Sequence, residues 1–418
     1  VCSSDLSTYM KQFLLSLLLC LVGGYSLSAQ SYPGCDGSRY RSMVFSTVNS
    51  TTDLKFGEGT TIAGNFQELF LNVYEPADDT QDQRPVIILA FGGSFITGER
   101  QDLEPLCLAY ASQGYVAVTI DYRLYDLPLI PFPTADEMRE VVVQSLSDFK
   151  AAIRFMREDA ATENQFRIDP DQIFVGGVSA GAIAAAHTAV LQETDEIDDF
   201  LLGLIEANGG FEGNSSTNTS YSSEVQGYIN LSGALNDASW IDANDPPFVS
   251  VHDDMDVTVP YGTGFANVLG VDIVYLEGSG EMSARADSLN VVNELWTIEG
   301  SFGHVSYFNN ADDFNATVSF TSSFVHDQIC GEIVNVQDIA PALEAVQVFP
   351  NPTIDRIQVK NPEGLSLSLR LLDSTGKLVA STPAGTELWV SNLAAGNYWL
   401  EVTDMGSQQR KVLKVVLH

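Results

Sequence analysis

Residues Asp171 to Leu191, DQIFVGGVSAGAIAAAHTAVL, decide the fold of this chain. The apolar run Ile173-Phe174-Val175 suits a buried strand, Gly176-Gly177 suits a turn, and the alanine-rich remainder suits a helix. At the junction stands Gly177-Val178-Ser179-Ala180-Gly181, a G-x-S-x-G. Between a strand and a helix this pattern is a nucleophile elbow, with the serine hydroxyl lifted clear of the sheet by a sharp, strained turn. The glycines are needed because a side chain at either position would strike the neighbouring strand or helix. The helix start behind Ser179 adds a positive dipole end and free backbone N–H groups, which favour a developing oxyanion. A G-x-S-x-G alone is also a chance match in a Gly- and Ser-rich chain. The strand before it and the helix after it are the context the motif requires.

At 418 residues the chain is too long for one average domain, and two are expected. A hydrophobic content of 45% is enough for a full core. The formal net charge of −35 is not spread evenly, since residues 345–418 hold seven basic and six acidic residues. The acidity belongs to the larger N-terminal part, and this break supports a domain boundary. Such a charge argues against nucleic acid or anionic lipid as a partner.

The first residues read as a leader. Met10-Lys11 precedes an apolar run, Phe13 to Val22, too short to span a bilayer, and Ser26-Leu27-Ser28-Ala29 supplies small residues for cleavage before Gln30. That is a secretory signal peptide, with Val1–Tyr9 ahead of its start residue, so Val1–Ala29 is set apart from the fold and no stable membrane span is expected. A lipid anchor at Cys20 is disfavoured, because Leu19 is bulky where a small residue is wanted. Cys35, Cys107 and Cys330 then remain. Export permits a disulfide. Cys107 sits in an apolar stretch with helical spacing and reads as a buried thiol. Cys35 and Cys330 flank the large domain and are expected to pair, the alternative being two free thiols with Cys35 in a mobile tail. No Cys/His cluster has metal-ligand spacing, so neither metal nor cofactor is expected.

In chain order, Arg41–Val48, Leu54–Phe56 and Glu68–Tyr74 alternate as half-buried antiparallel strands do. Val86–Phe91 is a continuous apolar run, as in a strand covered on both faces, and ends in Gly92-Gly93-Ser94-Phe95. Asp102–Gln113 predicts a helix, Tyr115–Tyr122 a buried strand and Ala135–Ala160 a long amphipathic helix. Beyond the elbow, Gly209–Ser223 is rich in Gly, Ser, Asn and Thr and reads as a loop or lid beside the site. Gly227–Leu231, Phe248–His252 and Leu295–Glu299 are further strands, with helices at Glu281–Asn290 and Ala316–Gln328. Strands alternating with helices imply an α/β fold, a mostly parallel sheet with helices on both faces.

The stretches RPVIILAFGGSF, QGYVAVTIDYRL, FRIDPDQIFVGGVSAGA, VHDDMDVTVPYG and IEGSFGH together resemble the α/β-hydrolase superfamily, in the manner of secreted bacterial carboxylesterases and lipases. The resemblance covers roughly Glu68 to Asp327 and follows the superfamily order of Ser, then Asp, then His. It implies Ser179 as nucleophile. His304, just beyond the last strand, stands where the superfamily keeps the base; His187, His252, His326 and His418 lie on helices, in a strand end or at the terminus. Asp256 lies in His252-Asp253-Asp254-Met255-Asp256-Val257-Thr258-Val259-Pro260, similar to the family's H-G-x-x-D-x-x-V-P. The family's Gly is Asp253 here, which leaves Asp253 and Asp254 as weaker candidates. Gly92-Gly93-Ser94-Phe95 resembles H-G-G-[GS]-F, so the resemblance places the oxyanion hole at the N–H of Gly93 or Ser94 with that of Ala180. Phe91 replaces the usual His, which puts the bracing of that loop in question.

Residues 346–418 carry short alternating strands and regular turn signals, and read as a small all-β sandwich. VFPNPTIDRIQV, LRLLDSTGKLV, VSNLAAGNYWLEV and KVLKVVLH resemble the C-terminal sorting domain of the Bacteroidetes type IX secretion system. The expected layout is a leader at 1–29, a hydrolase domain at 30–332, a linker at 333–345 and a sorting domain at 346–418. It implies export through the periplasm to the cell surface or medium, with the type IX machinery as partner. The expected substrate is a small-molecule or polymer-linked ester. A non-catalytic surface or adhesion protein on the same fold is the rival class. A peptidase of the prolyl-oligopeptidase type would call for a propeller-sized segment before the hydrolase stretch, which this sequence does not hold.

Overall fold

A computed structural model describes residues 32–268, 270–331, 343, 346–361, 364–372, 378–382, 385–404 and 410–418. The expected leader, and the expected linker apart from Leu343, lie outside the described residues. The chain divides into two compact units between Gly331 and Glu332.

The strands of the first unit are β1 (Val48–Thr60), β2 (Phe66–Pro76), β3 (Arg84–Ala90), β4 (Val116–Ile120), β5 (Ile168–Val178), β6 (Gly227–Leu231), β7 (Ala234–Leu235), β8 (Phe248–Asp253), β9 (Thr263–Val268), β10 (Val271–Gly278) and β11 (Asn293–Ile298). Its helices are α1 (Glu104–Ser112), α2 (Ala135–Ala161), α3 (Ala180–Val190), α4 (Asp199–Ala207), α5 (Ser279–Leu289) and α6 (Ala311–Cys330). An eight-stranded sheet runs in the order β1-β2-β4-β3-β5-β6-β8-β11. β1 and β2 pair antiparallel, as does β2 with β4. Every pairing from β4 to β11 is parallel. β3, β4, β6 and β8 are buried along their whole length, as strands covered on both faces must be. The chain builds outward from β3 to β4, then returns to lay β5 on the other side of β3. That reversal opens a crevice at the carboxyl ends of β3 and β5, where open α/β sheets place their ligands.

α2 opens with a capping box: the Thr134 hydroxyl accepts the Glu137 N–H at 3.2 Å and the Glu137 carboxylate accepts the Thr134 N–H at 2.7 Å. α3 is alanine-rich because it lies hard against the sheet, with Ala182, Ala184, Ala185 and Ala186 fully buried. Cys35 and Cys330 are joined in a disulfide, with Cα atoms 5.7 Å apart across 295 positions of chain. The chain-entropy account gives a loop of that length about 5–6 kcal/mol. Cys107 is free and buried on α1.

One local expectation differs from the structure, one open reading is resolved, and one hairpin leaves no sequence signal. Arg41–Val48 is not a strand, and β1 begins only at Val48. Its alternation serves anchoring instead: Arg41 pairs with Asp327 of α6, and the N–H groups of Val44 and Phe45 both donate to the Ser112 carbonyl at 2.9 Å. Of the two readings of Gly209–Ser223, loop or lid, the structure shows the loop. Ser215 is buried between Ser147 (2.7 Å), Asp148 (2.6 Å) and Arg123 (2.9 Å), which pins the loop to α2. The hairpin β9–β10 was not anticipated, because its register shift between Asp272 and Tyr275 breaks the alternation that marks a strand.

The second unit is all-β. Strands β12 (Gln347–Phe349), β13 (Arg356–Lys360) and β16 (Glu387–Trp389) form one antiparallel sheet, and β14 (Leu367–Leu372), β15 (Leu378–Thr382), β17 (Gly396–Asp404) and β18 (Arg410–Leu417) form another. Both contribute to one core, with Ile357 and Val359 from the first and Leu369, Leu371, Leu400 and Val415 from the second. This is the small sandwich that the turn spacing implied.

Candidate active site

Ser179 follows β5 directly and precedes α3, with φ 54° and ψ −118°, a backbone conformation rare for a residue with a side chain. Its N–H donates to the Leu231 carbonyl at 2.8 Å. A Cβ on Gly177 would lie 2.4 Å from the carbonyl carbon of Gly181, and one on Gly181 would lie 2.0 Å from the Ala90 carbonyl oxygen. Strand, turn and helix thus touch backbone to backbone, which is why the motif needs both glycines.

His304 sits on the loop after β11, and Asp256 on the loop after β8. The His304 Nε2 lies 2.8 Å from the Ser179 Oγ, and its Nδ1 lies 2.6 Å from Asp256 Oδ2. Since a carboxylate only accepts, Nδ1 carries the proton and Nε2 is the bare nitrogen facing the serine hydroxyl. Asp256 Oδ1 accepts the N–H groups of Thr258 (2.7 Å) and Val259 (3.2 Å). Burial pushes this carboxyl up, but hydrogen bonds from His252 and His304 and the backbone N–H of Thr258 outweigh it and hold it down to about 2.

The sequence gives His252 no role, yet it belongs to this network. It is fully buried, and its Nε2 lies 3.3 Å from Asp256 Oδ2 and 3.1 Å from the Val259 carbonyl. Its Nδ1 faces the Ser279 hydroxyl at 2.7 Å, which in turn meets the Asn230 amide at 3.0 Å. The only sequence trace of this role is its position four residues before Asp256.

Asp253 and Asp254, the weaker acid candidates, do not reach His304. They hold its loop on either side. Asp253 accepts the Ser306 N–H at 3.1 Å and the Ser306 hydroxyl, while Asp254 accepts the Ser301 N–H at 3.0 Å. Asp253 therefore supplies a clamp two residues beyond His304.

The loop after β3 carries Gly93 at φ 121° and Ser94 and Phe95 at φ 58° and 59°. The Gly93 carbonyl accepts the N–H groups of Ile96 (3.0 Å) and Thr97 (3.1 Å), closing the turn. Among the described residues the N–H groups of Ser94 and Ala180 have no acceptor. A Cβ on Gly92 would lie 3.2 Å from the Ser179 Cβ, so the loop passes directly over Ser179. Phe91 braces it without a histidine: its ring stacks on Tyr122 at 4.4 Å, the Tyr122 hydroxyl donates to the Phe91 carbonyl at 2.8 Å, and Phe95 meets the same tyrosine edge-on at 5.9 Å.

Beside Ser179 opens a mainly apolar cavity walled by α2, α3 and the β9–β10 hairpin. Among the described residues no group of His, Cys, Asp or Glu is arranged to hold a metal ion, and no helix is long and apolar enough to cross a membrane.

Comparison with known proteins adds the following. Residues 71–236 match the BD-FAE family, and residues 347–417 match the Secretion system C-terminal sorting domain. Carboxylesterase 1C of Rattus norvegicus is 33% identical over 144 residues, covering 34% of this chain and 24% of that protein. Fumonisin B1 esterase of Sphingopyxis macrogoltabida is 30% identical over 131 residues, covering 30% of this chain and 24% of that protein. The structure of Thermogutta terrifontis esterase 2 phosphorylated by paraoxon is similar at 21% identity and a TM-score of 0.47, covering 66% of this chain and 93% of that one. The chain spans about a quarter of the length of the curated relatives it matches. The family match ends before Asp256 and His304, so those two residues rest on geometry alone.

Proposed function

We propose that this chain, an α/β-hydrolase domain followed by a secretion sorting domain, is an exported serine esterase that hydrolyses carboxylic esters through an acyl-enzyme. The observation that carries this reading is the unbroken line from the Ser179 hydroxyl through His304 to Asp256, at 2.8 and 2.6 Å. Ser179 Oγ attacks the ester carbonyl while His304 Nε2 takes its proton. The resulting oxyanion lies against the N–H groups of Ala180 and of Ser94 or Gly93. His304 then gives the proton to the leaving alcohol, and the ester bond breaks to leave an acyl group on Ser179. Water repeats the sequence and releases the acid. Asp256 stays anionic throughout, because its carboxyl is held near 2.

The test is hydrolysis of p-nitrophenyl acetate by the purified protein. Ser179→Ala and His304→Ala should each lower kcat by at least about 10³-fold. Full activity in Ser179→Ala would end the assignment. Export is tested separately. Deleting 346–418 should leave the hydrolase active when purified and stall it in the periplasm of a type IX host; normal appearance in the medium would remove the sorting role.

A further inference from the structure

We propose that the cavity beside Ser179 is an acyl pocket for an aliphatic chain, and that the alcohol leaves over the open side at His304. This rests on the ester-hydrolase reading above. Direction comes from the order of the chemistry. The general acid must reach the leaving oxygen, so the alcohol has to lie at His304 Nε2. His304 is not part of the cavity wall, whereas Ser94, Phe95, Ser179 and Ala180, the nucleophile and the oxyanion loop, are. The His304 side chain is 21% exposed, and Phe302 and Val257 on the two loops that meet there stand 69% and 64% exposed. With the alcohol on that side, the acyl group enters the cavity.

The wall names the acyl class. Its apolar face is formed by Val142, Val143 and Leu146 of α2, Ile183 of α3, and Val268 and Ile273 of the hairpin, and Asn236 and Thr258 reach it as well. Arg139 reaches it too, but its guanidinium is paired with Asp198. His187 reaches it with Nδ1 at 2.8 Å from the Ile183 carbonyl and Nε2 accepting the Asn236 N–H at 3.2 Å, so neither nitrogen is open to a ligand. Burial lowers this imidazole to about 4, which keeps it neutral. A methylene chain gains at each carbon it places in such a wall. An acetyl group leaves most of the space unfilled, and a hydroxylated aromatic acyl group carries polar atoms into an apolar site.

The experiment uses the full chain and p-nitrophenyl acetate, butyrate, hexanoate and octanoate, with methyl ferulate for comparison. We expect kcat/KM to rise about fourfold per added methylene until the cavity is filled. Across methyl, butyl and octyl octanoate it should change little, because that side opens to solvent. Val143→Phe, which fills the cavity from α2, should lower the octanoate-to-acetate ratio at least about tenfold. Ala266→Phe, on the opposite wall, should do the same if the α2 variant fails to fold. Acetate turned over as fast as octanoate, a preference for ferulate, or a profile steep in the alcohol and flat in the acyl chain would each overturn the pocket assignment while leaving the esterase intact. If no ester is cleaved and Ser179 takes no phosphonate label, the esterase reading itself has failed.

Discussion

The turn that carries Ser179 and the loop that carries His304 end 2.8 Å apart and are built in opposite ways. The turn is held by steric closeness. Its glycines press against each other and against β3, and it hangs between a fully buried strand end and a buried helix. The histidine loop has no regular structure until Ser306, and polar contacts hold it: Asp254 grips Ser301, Asp253 grips Ser306, and the Met255 N–H donates to the Ser301 carbonyl at 3.0 Å. Ser179 is thus positioned by its own neighbours in sequence. His304 is positioned by side chains some fifty residues upstream, beside the loop that also carries Asp256. Substitutions that add volume should therefore damage the first region, and substitutions that remove acceptors should damage the second.

The sharpest break would come from Gly181→Ala. Its Cβ would sit 2.0 Å from a backbone oxygen that no rotamer change can move. Loss of folded protein or destabilisation by about 3 kcal/mol or more is expected in thermal unfolding; an unchanged Tm would show that the turn is not held by closeness. Asp256→Asn should keep the fold and lower kcat by about 10³–10⁴-fold, since an amide no longer fixes the His304 tautomer. A near wild-type rate would move the acid elsewhere. Asp253→Ala releases Ser306 and should cost about 10–10²-fold in kcat through misplacement of the base. Asp253→Asn, which keeps an acceptor, should recover part of that loss, whereas equal damage by both would mean that the clamp acts by charge.

Stability should follow Asp256 as well. Its carboxyl is lowered from 3.8 to about 2 in the folded protein, so it favours folding above the ordinary value and loses that contribution as pH falls through about 2. The difference in stability between wild type and Asp256→Asn should contain a component of about 2 kcal/mol at neutral pH that shrinks below pH 4. A pH-independent difference would contradict the lowered carboxyl. The smallest effect is expected from Asp254→Ala, which removes one hydrogen bond to a half-buried loop and should cost about 1 kcal/mol by denaturant unfolding.

Much of this molecule was legible without coordinates, and the legible parts share a property. The elbow, the buried strands β3 to β6 and the long helix α2 are written in contiguous residues, where period, glycine placement and capping residues act over a few positions. Arg41–Val48 misled for the converse reason. Its alternation is real, but the residues have no strand beside them and are used by Ser112 and Asp327 instead. Phe91 raised a doubt that only its partner Tyr122 answers. The β9–β10 hairpin, the place of His252 behind Asp256, and the work of Asp253 and Asp254 left almost no sequence signal. By itself the sequence determined the fold class, the turn at Ser179 and the two-part layout, because backbone sterics and hydrophobic period are local. Only the tertiary structure decided which aspartate faces His304, what braces the loop after β3 and where the cavity lies. Those depend on hydrogen bonds and packing that act within a few ångströms, between strands whose spacing is set by the whole sheet.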